Sequence, residues 1–249
     1  MWKTGVCSIS FRKYSIQEII DAAASAGLDG IEWGSDVHAP CRDEQRLTEI
    51  VALQQKYGIR CCSYGTYFRA GVDAPEDIEP YIKAAKRLGT DVLRIWCGSK
   101  DSEKYTAEQK EALFEQCRAI ARIAQREGVT VCMECHHDTF TNSLDGALAL
   151  MQAVDSEHFR MYWQPNQHVS VQRNLAYAKA IAPYTKVIHV FHWKGEGKYP
   201  LSEATALWGE YLAPFAADVP LLLEFMPDGR PESLIAEARA LYDIAEGKP

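Results

Sequence analysis

The feature that most constrains this chain is an alternation repeated eight times. Short apolar runs near 4–10, 28–34, 59–65, 91–97, 129–135, 158–164, 186–192 and 219–225 are each separated by a longer stretch with helical periodicity. No linker or low-complexity segment interrupts them, so the whole of 1–249 is expected to form one α/β domain. Helix starts are marked by capping boxes at Ser15 to Glu18 and Thr106 to Gln109, and helix stops by Gly27, Gly58, Gly89 and Gly128. Eight strand-helix units in 249 residues match the length at which a (β/α)8 TIM barrel closes. An open doubly wound sheet shares the alternation but usually carries a Gly-rich phosphate loop after its first strand. The segment Ser10-Phe-Arg-Lys-Tyr-Ser15 has no glycine.

Composition narrows function by exclusion. A net charge of −7 with a pI near 5.5 lacks the basic face that nucleic-acid binding by counterion release requires. No apolar run approaches the roughly 20 residues of a membrane span, and the N-terminus has neither a basic n-region nor a small-residue cleavage site, so a cytoplasmic protein is expected. The eight cysteines lie mostly within apolar runs and read as reduced core residues. Cys132 and Cys135 are three apart on an extended run and point to opposite faces, which excludes a shared ion.

In a barrel of this kind the active site is built at the C-terminal strand ends. Glu134, Gln164, His192 and Glu224 close the fifth to eighth apolar runs. A carboxylate ending an apolar strand needs a partner, and one cation satisfies two. Two carboxylates, an amide oxygen and an imidazole form a mainly hard donor set for a divalent metal ion, with manganese favoured and magnesium, cobalt or zinc as alternatives. His189 lies three residues before His192 and therefore on the opposite strand face, so only one of them looks inward. His192, nearer the strand end, is the expected ligand, and His189 is expected to sit hydrogen-bonded under a helix. Around this centre, Trp33, Tyr64, Trp96, Trp163 and Trp193 offer stacking faces, and Glu32, His38, Arg94, His136 and Lys194 offer polar groups, for a small polyhydroxylated substrate. Arg94 has a competing role as ion-pair partner of Glu134.

The chain resembles the xylose isomerase-like barrels, the sugar phosphate isomerase/epimerase superfamily. The likeness is carried by Tyr14-Ser15-Ile-Gln-Glu18 with Ala26-Gly27-Leu-Asp-Gly-Ile-Glu32, then Met133-Glu134-Cys-His136, Phe191-His192-Trp-Lys194 and Leu223-Glu224-Phe. The resemblance implies that Glu134, His192 and Glu224 bind metal, and that the two glutamates also exchange protons on opposite faces of a ketose or inosose carbon through an enediolate. It also implies a homo-oligomer. The chain departs from the family in the sixth strand, where Asp-x-x-His is replaced by Gln164-Pro-Asn-Gln-His168. The lost negative charge implies weaker metal binding and puts the substrate role of His168 in question. A dehydratase or lyase with the same metal and bases, using His136 or His38 as general acid, is the second reading, and a non-catalytic sugar-binding barrel the third. Endonuclease IV chemistry is set aside for want of ligands for three zinc ions.

Overall fold

The computed structural model describes residues 3–247; the outermost residues of the 1–249 domain expectation lie outside them. Its barrel strands are β1 (Thr4–Cys7), β2 (Gly30–Gly34), β3 (Arg60–Ala70), β4 (Val92–Cys97), β5 (Thr130–Glu134), β6 (Phe159–Trp163) and β7 (Thr185–Val190). A short antiparallel hairpin follows, β8 (Trp193–Lys194) with β9 (Gly197–Lys198), and β10 (Leu221–Leu223) completes the set. All barrel neighbours pair in parallel, and β10 pairs with β1 to close an eight-stranded barrel in the order β1-β10-β7-β6-β5-β4-β3-β2. The alternation therefore encodes a closed TIM barrel.

Helices α1 (Ile16–Ser25), α2 (Glu44–Tyr57), α3 (Glu79–Leu88), α4 (Ala107–Glu127), α5 (Leu144–Val154), α6 (Val171–Ile181), α7 (Thr205–Leu212) and α8 (Leu234–Ala245) surround the strands. Both capping boxes form. Ser15 Oγ accepts from Glu18 N and Thr106 Oγ1 from Gln109 N, and each partner side chain accepts from the cap N–H in return. Gly58, Gly89 and Gly128 cap α2, α3 and α4 in left-handed conformation. No helix among the described residues is long and apolar enough to cross a membrane.

Two apolar layers follow from strand alternation. Side chains on one strand face, such as Ile95, Val131, Met133, Ile188 and Val190, join the large core under the helices. Cys7, Val92, Cys132, Tyr162, Val187 and Leu222 point the other way and fill the barrel interior as a separate cluster. Residues two places further along those strands continue on the interior face towards the C-terminal mouth. They are Arg94, Glu134, Gln164, His189 and Glu224, and this parity selects the polar centre.

Candidate metal and proton-transfer centre

The centre is organised around the imidazole of His189, which is fully buried. Its Nδ1 is 3.0 Å from Gln164 Oε1, 3.4 Å from Glu134 Oε1 and 3.7 Å from Glu224 Oε2. Three oxygens from three strand ends thus converge on one ring nitrogen. Its Nε2 lies 3.5 Å from Glu32 Oε1 without a hydrogen-bond partner among the described residues. Cys7 sits below, where its thiol, Glu224 and His189 present donor atoms within 4.8 Å of one another.

Each oxygen is oriented by a second contact. Gln164 Nε2 donates to the Cys135 carbonyl (3.1 Å), which turns the amide oxygen towards His189. Glu134 Oε2 accepts from Trp96 Nε1 and lies 3.4 Å from Arg94 Nη1, leaving Oε1 for the centre. Glu32 Oε2 accepts from Ser63 Oγ (2.6 Å) and Tyr162 OH (3.0 Å), leaving Oε1 beneath the imidazole. Gly65 on β3 leaves the room this requires: a Cβ there would stand 2.8 Å from Glu32 Oε1 and 3.1 Å from Arg94 Nη2. Arg94 itself is anchored by donation to the Thr66 carbonyl (2.9 Å) and lies against the ring of Trp96.

This crowding splits the carboxylates. Burial pushes Glu134 up, but the Arg94 guanidinium and His189 outweigh it and hold the carboxyl well below its usual range. Burial also pushes up Glu224, which His189 only partly counters, so this carboxyl is raised to about 7. Glu32 stays lowered, with His189, Arg94 and Ser63 overcoming its burial. Burial disfavours the imidazolium of His189, yet Cys7, Glu224 and Glu32 around the ring raise its pKa well above the usual value. When His189 is protonated, its Nδ1–H donates to Gln164 Oε1 while the imidazolium charge faces the carboxylates of Glu134 and Glu224.

The donor set fits a divalent cation. His189 Nδ1 is faced by Glu134 Oε1, Gln164 Oε1 and Glu224 Oε2, while the donor atoms of Cys7, His189 and Glu224 lie within 4.8 Å of one another, and Glu32 faces the other ring nitrogen as a carboxylate supporting a ligating histidine does. A cation bound there would take the place of the His189 proton.

The structure corrects the choice between the two histidines. β7 ends at Val190, whose carbonyl accepts from Glu224 N (2.9 Å), so strand parity stops before His192. The chain turns at 191–192 into the β8–β9 hairpin; Trp208 Nε1 donates to the Phe191 carbonyl (3.0 Å) and Tyr199 N to the His192 carbonyl (2.9 Å). His192 therefore faces the hairpin, with its ring 5.8 Å from that of Tyr199, and His189 is not under a helix.

A cavity of about 270 Å³ opens above the centre, lined by Arg94, Trp96, Glu134, His136, Gln164 and Glu224 among others. His168 is at its lip, with Nε2 3.9 Å from Glu196. His136 lies 5.1 Å from the Trp96 ring, and burial lowers its pKa. Several expected substrate contacts lie elsewhere, because neighbours of an inward residue point outward. Trp33 donates to Gln54 Oε1 (2.9 Å), Tyr64 to the Ala39 carbonyl (2.6 Å), and Trp163 packs between Trp208 and Phe215. His38 is buried between Ser8 Oγ and the Tyr14 carbonyl, both 3.2 Å away. Glu32 is below the imidazole rather than in the cavity. Lys194 is on the hairpin, 4.0 Å from Glu203, and lines an adjoining cavity.

Sequence reasoning placed His189 under a helix rather than at the centre, and did not single out His137 and Phe225, which line the cavity. Phe225 adopts φ +59°, a strained setting for an aromatic residue, and its N–H is held by Ser10 Oγ (2.8 Å). Nothing in sequence periodicity signals that turn. His189 was accessible from the pattern Val187-x-His189, in step with Cys132-x-Glu134 and Leu222-x-Glu224.

The closed barrel and its C-terminal polar centre agree with the comparison to known families, in which the xylose isomerase-like TIM barrel matches residues 20–205. The chain belongs to this family. A 3-dehydroshikimate dehydratase of Bacillus anthracis is 25% identical over 171 residues, covering 64% of this chain and 60% of that relative's length. Among solved structures, the probable 3-DHS dehydratase AsbF of Bacillus anthracis superposes with a TM-score of 0.80 at 16% identity, covering 97% of this chain and 99% of that one. An L-ribulose 3-epimerase superposes at 0.74 with 16% identity, covering 98% and 94%. At such identity these structures share the fold, and this xylose isomerase-like barrel has both epimerases and dehydratases among its neighbours.

Proposed function

We propose that this barrel is a divalent-metal-dependent enzyme that moves a proton at the carbon next to a carbonyl in a small polyhydroxylated ketone, as an isomerase or epimerase. The observation that carries the reading is the convergence of Glu134, Gln164 and Glu224 oxygens within 3.7 Å of His189 Nδ1 at the C-terminal mouth. Glu134, Gln164, His189 and Glu224 would hold the cation, manganese first and magnesium, cobalt or zinc as alternatives, with the amide of Gln164 in place of a carboxylate. A bound divalent cation supplies Lewis acidity to a carbonyl and its neighbouring hydroxyl.

The chain's own groups supply the rest. Glu134, held ionised by Arg94 and oriented by Trp96, takes the α-proton, while Glu224 delivers one from its own strand end. Arg94 and Trp96 hold the Glu134 carboxylate in one orientation and line the cavity, and Arg94 offers positive charge to the developing enediolate.

A second reading, dehydration, is favoured by the 25% identity to a dehydratase and by His136 in the cavity wall, where a neutral imidazole that first accepts the α-proton can pass it to the departing hydroxyl as water leaves. Solvent deuterium exchange with a panel of ketoses and inososes separates the two. Exchange with retention of the carbon-bound oxygen supports the isomerase, and release of water the dehydratase. Glu134→Gln and Glu224→Gln are each expected to lower turnover by roughly 10²–10⁴-fold, the usual contribution of a positioned acid or base. Retained activity in either variant would remove the two-base mechanism.

A further inference from the structure

The barrel interior beneath the proposed centre holds a donor that the centre does not use. The thiol of Cys7, a ring nitrogen of His189 and a carboxylate oxygen of Glu224 lie within 4.8 Å of one another, and all three residues are buried. Among the described residues, this is the trio of His, Cys, Asp and Glu donors that comes together so closely, and Glu134 is not part of it. Strand register explains the placement. Val6 pairs with Leu223 on β10, so the next residues, Cys7 and Glu224, stand side by side on the interior face, and Cys7 pairs with Glu32 on its other flank. Glu224 lines the cavity at the mouth and Cys7 does not, which puts the thiol in the deeper layer.

A second observation is an unsatisfied atom on the same ring. His189 is fully buried, and its Nε2 has no hydrogen-bond partner among the described residues. A buried polar atom left unpaired costs as much as a lost hydrogen bond, and a bound ion is one way in which native proteins remove that cost. The donor chemistry says which ion. A thiolate, an imidazole and one carboxylate form a softer set than the oxygens facing Nδ1, and sulfur favours zinc or cobalt(II) over manganese and magnesium. The thiolate and the carboxylate together cancel the charge of a divalent cation, so the loaded trio is neutral, as burial requires. Burial keeps the Cys7 thiol protonated in the metal-free chain, and coordination releases that proton to solvent as the metal–sulfur bond forms. Gln164 tilts the balance the same way, because an amide withholds one charge from the hard donors.

We propose that Cys7, His189 and Glu224 form a second, deeper site for a thiophilic divalent cation, zinc or cobalt(II), and that an ion held there excludes manganese from the centre above. Both positions draw on the His189 ring and the Glu224 carboxylate, and two dications so close would repel. Zinc is then an inhibitor that acts from below the cavity without meeting substrate. The exclusion of manganese rests on the proposed function; the thiolate site itself does not.

The test is cobalt(II) titration of the full chain, with the partly exposed Cys41 and Cys62 replaced by alanine so that accessible thiols do not compete. A sulfur-to-cobalt charge-transfer band in the near ultraviolet is expected to saturate at one ion per chain. Cys7→Ser and Cys7→Ala should each abolish the band and weaken zinc binding by more than the roughly 10–100-fold that is lost with a merely supporting group. Glu134→Gln, which alters only the upper donors, should leave the band in place. Cobalt bound without the band, a band that survives Cys7→Ala, or no cobalt bound overturns the site. If the Cys7 variants do not fold, zinc X-ray absorption of the wild-type chain decides: one sulfur at about 2.3 Å supports the site, and a shell of nitrogen and oxygen alone overturns it. Zinc should displace bound manganese one for one, and two ions per chain overturn the exclusion. Manganese uptake, measured separately by elemental analysis without zinc or cobalt, isolates the underlying reading. Manganese uptake without the thiolate band keeps the metal enzyme and removes the Cys7 site, and the band without manganese uptake does the reverse.

Discussion

Replacing His189 by alanine tests the centre most directly. The barrel mouth buries the carboxylates of Glu32, Glu134 and Glu224 against the guanidinium of Arg94 and the ring of His189. With His189 protonated the cluster carries a formal charge of −1, and without the ring it carries −2. Breaking a buried ion pair by removing one partner typically costs about 3–5 kcal/mol. Glu224, already raised to about 7, relieves part of this by keeping its proton, which places the expected loss near the lower bound, about 3 kcal/mol. For a chain of this size roughly 2–4 °C is lost per kcal/mol, so calorimetry in EDTA should show a melting temperature lower by roughly 6–12 °C. Manganese at 100 times its dissociation constant should stabilise wild type by about 2.7 kcal/mol and leave His189→Ala unmoved. His192→Ala should respond to manganese as wild type does. A manganese-induced rise that persists in His189→Ala and disappears in His192→Ala would refute the assignment and return the ligand to His192.

Other consequences are as specific. Glu224 is raised to about 7 in the folded chain, so its contribution to stability is fully present below its unfolded value near 4.5 and is lost as pH rises through about 7; in EDTA the melting temperature should fall between pH 5 and 8, and Glu224→Gln should flatten that slope. Because the His189 proton must leave for a cation to bind Nδ1, manganese binding should release protons and tighten with rising pH, as calorimetry in buffers of different ionisation enthalpy would reveal; pH-independent binding without proton release would place the ion elsewhere. Gln164→Asp adds a charged oxygen where the amide now faces His189 and should lower the manganese dissociation constant by about tenfold or more, and an unchanged constant in equilibrium dialysis would exclude Gln164 from the ligands. Gly65→Ala should cost about 1–3 kcal/mol in chemical denaturation and weaken metal binding, because its Cβ would displace Glu32 and Arg94; wild-type stability would mean that β3 gives way instead.

The eight-fold alternation, the capping boxes and the glycine stops carried the fold, because each is a local rule that closure of the barrel does not override. Glu134, Gln164 and Glu224 were legible for a related reason: each is a polar residue ending an apolar strand, and it can end there only if something at the mouth satisfies it. The errors have one source. Distance from the strand end is a weaker criterion than parity, and parity applies only as far as the pleat continues. Choosing His192 assumed that β7 ran to 192, whereas it stops at Val190 and the chain turns away. Trp33 and Tyr64 were chosen for lying near strand ends although Glu32 and Gly65, their neighbours, occupy the inward positions. His38 is in a loop, where no periodicity says which way a side chain points.

The replacement in the sixth strand also has a physical logic once Arg94 and His189 are placed. A carboxylate at 164 would bring a fourth negative group to a cavity holding Glu32, Glu134 and Glu224, and the centre without metal would then need more than Arg94 and one imidazolium to balance it. Gln164 keeps the oxygen and drops the charge, so that it accepts from His189 Nδ1 while the imidazolium charge is left to face Glu134 and Glu224 at 3.4 and 3.7 Å. On the proposed reading the barrel would fold and remain closed at its mouth before any cation arrives, and would hold that cation more weakly. Metal binding and folding would then be separable, so removal of metal should lower the melting temperature of wild type only by the binding contribution and should leave the strand order and the buried interior cluster intact.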